Sequence, residues 1–67
     1  MNIFNKRIRE LRIEKNLSQS NLAKLIGVTQ STIAKWETKI RQPDIDTLIE
    51  IAKYFNCTID YLVGLED

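Results

Sequence analysis

Five residues of the stretch LIGVTQSTIAKWET offer an amide, hydroxyls, a methyl and an ammonium group at helical spacing: Gln30, Ser31, Ala34, Lys35 and Thr38. If the stretch is helical, at about 100° per residue, Ile33 and Trp36 mark its inward side. Ser31 and Thr38 then point almost directly away from it. Ala34 and Lys35 lie to either side of that outward direction, and Gln30 and Thr32 flank it. Amide, hydroxyl, methyl and ammonium groups are the kinds that read base edges in a major groove. A glutamine amide bonds an adenine edge bidentately, a lysine takes guanine acceptors, and a methyl meets the thymine methyl. Gln30, Ser31, Ala34 and Lys35 are therefore candidate base-reading residues. Each has a plainer alternative as a solvated side chain on an exposed helix, and residue type alone leaves both open. Thr32, Thr38, Lys39 and Arg41 are placed against a sugar-phosphate strand, where contacts position a protein without specifying sequence. For Lys39 and Arg41 the alternative is a pair of solvated loop cations.

Other chemistries find little support. With no histidine and the single Cys57, Ser–His and Cys–His nucleophile pairs and the usual zinc sets are ruled out. Gly27 and Gly64 are too few and too far apart for a phosphate-cradling loop. Asp44, Asp46 and Glu50 could hint at a metal or an acid/base pair, but the first two fit better as cap and first-turn charges favoured by a helix dipole. No catalytic residue, metal or cofactor is expected. Cys57 has no partner for an internal disulfide, and uninterrupted apolar runs reach about four residues, far short of the roughly 20 of a membrane span. Lys6, Arg7 and Arg9 break up any signal-peptide core. The expected setting is cytoplasmic and reducing.

The net charge of +1 conceals an asymmetry. Residues 1–42 hold nine Lys/Arg against Glu10, Glu14 and Glu37, a balance of +6. Residues 43–67 hold Lys53 against six carboxylates, a balance of −5. A half-molecule this basic attracts a polyanion, although two solvated faces of a soluble protein would give the same tally.

Sixty-seven residues make one domain, which buries only about 60% of its unfolded surface and so has modest stability. Phe4, Ile8, Leu11 and Lys15 are spaced for one face of a first helix, and Asn16 suits a left-handed stop. One pattern then recurs: an apolar residue, a small polar cap, and a Leu or Ile four residues past the cap. The sets are Leu17–Ser18–Leu22, Val28–Thr29–Ile33, Pro43–Asp44–Leu48 and Cys57–Thr58–Leu62. Each is an N-cap bridged by a hydrophobic staple, the proline set being weakest. Helices are expected near 2–15, 18–26, 29–37, 44–55 and 58–64, an all-α architecture of five helices. Gly27, just past the second helix, suits a left-handed turn, and Ala23 and Gly27 are both expected to be small so that the second and third helices can approach closely. The terminal GLED carries no evident closing signal, which leaves open a longer regulator with a further domain.

Gln19, Leu22, Ala23, Gly27, Val28, Ile33 and Trp36 resemble the helix-turn-helix of the lambdoid-phage Cro and repressor family, also called the XRE family. The resemblance extends through IRELR, PDIDTLIEIAKYF and TIDYLVG, nearly the whole chain. It departs from the family at Asn16, where glycine is frequent, and at Thr38, where asparagine is frequent. The resemblance implies a compact lambda-repressor-like DNA-binding domain over residues 1–67, with the motif at about 18–37. It implies that Gln19 contacts phosphate and braces Gln30, and that Arg12 and Glu37 form a structural pair. It further implies a transcriptional regulator, a repressor acting as a homodimer on a palindromic double-stranded operator. Ile59, Leu62, Val63 and Leu65 could supply the dimer surface. The competing reading is a protein-interaction module on the same scaffold, antitoxin-like or binding another regulator, with weak attraction to DNA.

Overall fold

In a computed structural model of the chain, which describes residues 2–67, five helices follow one another. They are α1 (Phe4–Glu14), α2 (Gln19–Ile26), α3 (Gln30–Glu37), α4 (Ile45–Phe55) and α5 (Ile59–Val63). No strand occurs among the described residues. All four expected caps form. The side-chain oxygens of Ser18, Thr29, Asp44 and Thr58 accept the backbone N–H groups of Asn21, Thr32, Thr47 and Tyr61. Each such cap contributes about 1 kcal/mol. The first helix starts later than expected, because Asn2 Oδ1 takes the Phe4 N–H at 3.0 Å and Ile3 becomes the cap.

The helix ends share one device. Asn16, Gly27, Lys39, Asn56 and Gly64 each adopt a left-handed backbone just past a helix, with φ of 57°, 87°, 66°, 55° and 92°. The residue after each (Leu17, Val28, Ile40, Cys57, Leu65) donates its N–H back to the carbonyl of Arg12, Ala23, Lys35, Ala52 or Asp60, at 2.8 to 3.0 Å. This double turn satisfies carbonyls that a helix end otherwise leaves free. Asn16 and Gly27 act as expected. Gly64 corrects the reading of GLED, since it closes α5.

Gly27 also needs correction, because a Cβ there would meet nothing within 4 Å. Its role is conformational, and only Ala23, 3% exposed, is small for packing. Gly64 is constrained twice, since a Cβ would come within 2.7 Å of Ile3 Cγ1 as well as straining the backbone.

Every helix supplies the core: Phe4 and Ile8 from α1, Leu22 and Ala23 from α2, Ile33 and Trp36 from α3, Ile51, Ala52 and Phe55 from α4, and Leu62 from α5. The staple residues Leu17, Val28 and Cys57 pack against it. Phe4 and Trp36 meet edge to face at 5.9 Å, so the tryptophan is core and not a stacking platform. Lys15 lies outside this core, exposed, with its ammonium over the Tyr54 ring at 5.5 Å. No helix among the described residues is long and apolar enough to cross a membrane.

Candidate nucleic-acid interface

Two anchors, Ile33 at 0% and Trp36 at 3% exposure, hold α3 down and decide which side remains available. Gln30, Ser31, Lys35 and Thr38 are exposed, while Thr32 and Ala34 are half-buried at the edges of that face. The four candidate base-reading residues thus share one surface, and none is sealed by the chain.

The glutamines are organised by a hydrogen-bond chain that crosses three helices. Arg12 of α1 donates from Nε to Glu37 Oε2 at 2.8 Å, from a terminal nitrogen to Glu37 Oε1 at 3.1 Å, and to the Leu17 carbonyl at 2.9 Å. The fork fits the carboxylate bidentately, and the two side chains are only 13% and 5% exposed. Hydrogen bonding to Glu37 raises the Arg12 pKa against the opposing effect of burial, so the guanidinium is a permanent cation. Glu37 accepts a third bond, from Gln19 Nε2 at 3.1 Å. The other end of that amide, Oε1, accepts from Gln30 Nε2 at 2.6 Å. The expected Arg12–Glu37 pair is therefore the root of a relay that ends on the outward face.

Its consequence for Gln30 follows from counting donors and acceptors. One N–H of the Gln30 amide is used, which leaves one N–H and the oxygen free, oriented by Gln19. That is the donor and acceptor pair that an adenine edge requires.

The candidate phosphate residues separate into two groups. Gln19 stands at the first position of α2, at the Gln30 end of α3. Lys39 and Arg41 are exposed on the connector beyond α3. Thr32 lies on the opposite flank, its hydroxyl paired with Thr29 Oγ1 at 2.9 Å. It lines an open groove of about 240 Å³ with Trp36, Arg41, Gln42, Asp44 and Thr47. Thr47, through its hydroxyl first and its backbone N–H second, holds the Asp44 carboxyl below the usual carboxylate range. A negative charge therefore shares this groove with Arg41. The Thr38 hydroxyl turns back on its own helix and donates to the Ala34 carbonyl at 2.9 Å, so its proton is not free for a phosphate. Sequence reasoning missed the third donor to Glu37 and the left-handed backbone of Lys39. The expected dimer surface also shrinks, because Leu62 is fully buried and Ile59 packs on the core, while Leu65 is 78% exposed.

Comparison with known proteins agrees with this geometry. A helix-turn-helix family profile matches residues 8–62, and the chain belongs to that family. Among curated relatives it is similar to the transcriptional activator BcrR of Enterococcus faecalis, 39% identical over 96% of this chain and 31% of that protein. Among solved structures it resembles the phage P22 c2 repressor bound to a synthetic operator. There the TM-score is 0.88 and the identity 29%, over 98% of this chain and 100% of the other. A transcriptional regulator from Listeria innocua superimposes with a TM-score of 0.92 at 33% identity, covering 100% of this chain and 63% of the other. The chain spans between about a third and just over half of the length of the first curated relatives it matches.

Proposed function

We propose that this chain is a sequence-specific binder of double-stranded DNA that regulates transcription, with α3 lying in the major groove. One observation carries the proposal: the Gln30 amide is aimed outward by Gln19, with one donor and one acceptor unspent. Gln30, Ser31, Ala34 and Lys35 face the bases. Gln19, Lys39 and Arg41 meet the sugar-phosphate strands, Thr32 lies beside the Arg41 groove, and Thr38 contributes only after its hydroxyl rotates. The likeness to a repressor held on its operator supports this docking.

The mechanism is occupancy, which represses when the site overlaps a promoter. Residues 1–67 act as one DNA-binding domain in the cytoplasm, and two copies bind paired half-sites about one helical turn apart. A small surface that includes exposed Leu65 joins them.

Titrating salt against binding to a random-sequence duplex tests the class, since phosphate neutralisation gives a steep log–log slope. Lys35→Ala should then change preference at one base pair by about 1–3 kcal/mol, whereas Arg41→Ala weakens all sequences alike and flattens the slope. A flat salt profile for the parent would overturn the proposal and favour a protein-interaction module.

A further inference from the structure

Among the five residues that close the helices, Lys39 is the one that is neither glycine nor asparagine. A left-handed backbone brings the Cβ of an L-residue against the following carbonyl, a cost that glycine escapes and asparagine tolerates. At φ 66° the lysine bears that cost in full. Nothing in its side-chain environment offsets it, because Lys39 is exposed and forms neither a side-chain hydrogen bond nor an ion pair among the described residues.

The strained residue has a particular place. It is the tip of the turn that ends α3, and the next two residues pin that turn firmly. Ile40 and Arg41 both donate their backbone N–H to the Lys35 carbonyl, at 2.9 and 3.2 Å. The ammonium of Lys39 is thereby carried one turn beyond Lys35 and two residues before Arg41, on a bend whose backbone is fixed. Strained backbone is retained where surrounding structure over-determines it, and it gathers at functional sites.

We propose that Lys39 exchanges fold stability for DNA affinity: the chain carries a cation, where a glycine would fold better, to hold a phosphate at the end of the recognition helix. The inference rests on the DNA-binding reading above and adds to it why this position is charged at all.

Three variants separate backbone from charge. Lys39→Gln keeps the Cβ and loses the charge, Lys39→Gly loses both, and Lys39→Arg keeps both. Thermal unfolding should place the midpoint of Lys39→Gly about 5 °C above that of Lys39→Gln, with Lys39→Arg matching the parent. In salt titrations with a random-sequence duplex, Gln and Gly should each reduce the log–log slope by about 0.9, one phosphate contact, and Arg should restore it. A Gly variant no more stable than the Gln variant would overturn the inference. So would Gln and Gly variants that keep the parental slope while the parent binds with a steep one. A parent with no salt-dependent affinity is a different result, because then the DNA-binding reading itself has failed.

Discussion

Glu37→Gln removes one charge from the most heavily used side-chain acceptor among the described residues. The carboxylate receives three N–H groups, two from Arg12 and one from Gln19. A glutamine in its place offers one oxygen, and its NH2 must then face donors. If the oxygen keeps the 2.8 Å bond to Arg12 Nε, the bonds to the second Arg12 nitrogen and to Gln19 Nε2 are lost.

Hydrogen bonds to charged groups contribute roughly 1.5–3 kcal/mol each, and removing one partner of a buried pair costs about 3–5 kcal/mol. Arg12 is 13% exposed and keeps the Leu17 carbonyl, so the lower end applies, about 3 kcal/mol. For a chain of 67 residues, whose total stability is on the order of 3–10 kcal/mol, that is a large fraction. The midpoint should fall by about 15 °C. Urea unfolding should show the same loss, read from the shift in midpoint at constant slope.

The double variant Arg12→Met/Glu37→Leu removes both charges and should be the more stable of the two, since well-packed apolar pairs replace buried ion pairs at little cost. Binding should change in kind as well. With Gln19 released, Gln30 loses its fixed orientation, so discrimination at one base pair falls while the salt slope stays near the parental value. A Glu37→Gln protein that melts within about 2 °C of the parent would refute the magnitude, on a scale of several degrees per kcal/mol. A double variant less stable than the single would refute the account of the unpaired cation.

Gly64→Ala should cost about 2 kcal/mol and lower the midpoint by about 10 °C, whereas Gly27→Ala should cost about half as much. Both positions have a left-handed backbone, but only at Gly64 does the added carbon meet Ile3, so equal midpoints for the two variants would contradict the close approach. At Asp44 the folded carboxyl titrates below the ordinary 3.8, so its stabilising effect is complete above that value and disappears as pH falls through the lower folded one. Acid titration of stability should therefore show a step below about pH 4 that Asp44→Asn, which keeps a neutral cap, lacks. The same substitution should tighten binding to all duplexes alike, because it removes a negative charge from the groove that Arg41 lines.

Helix starts were the most legible feature of the chain, because a Ser, Thr or Asp cap with a staple is a local signal written in six consecutive residues. Ends were half legible. Asn16 and Gly27 announce themselves by type, but nothing about a lysine marks position 39 as left-handed. That conformation belongs to the turn in which Ile40 and Arg41 return their backbone N–H groups to the Lys35 carbonyl. Gly27 was read correctly as a turn residue but with the wrong cause, since close approach of two helices is a tertiary fact. The outward face of α3 followed from Ile33 and Trp36 alone, whereas the full use of Glu37 did not. Arg12, Gln19 and Glu37 are far apart in sequence and meet only when three helices are packed, and family resemblance was what brought the first and last together.

The relay from Glu37 makes the proposed Gln30 base contact a property of two residues in separate helices. A mutation at position 30 alone takes away the side-chain partner of the Gln19 carbonyl, and one at 19 alone lets the amide at 30 swing. Descendants of this sequence should therefore acquire a different base preference by exchanging both glutamines in concert, while arginine and glutamate stay fixed beneath them. On the proposed base contact, a single change at either glutamine should cost more discrimination than the paired exchange.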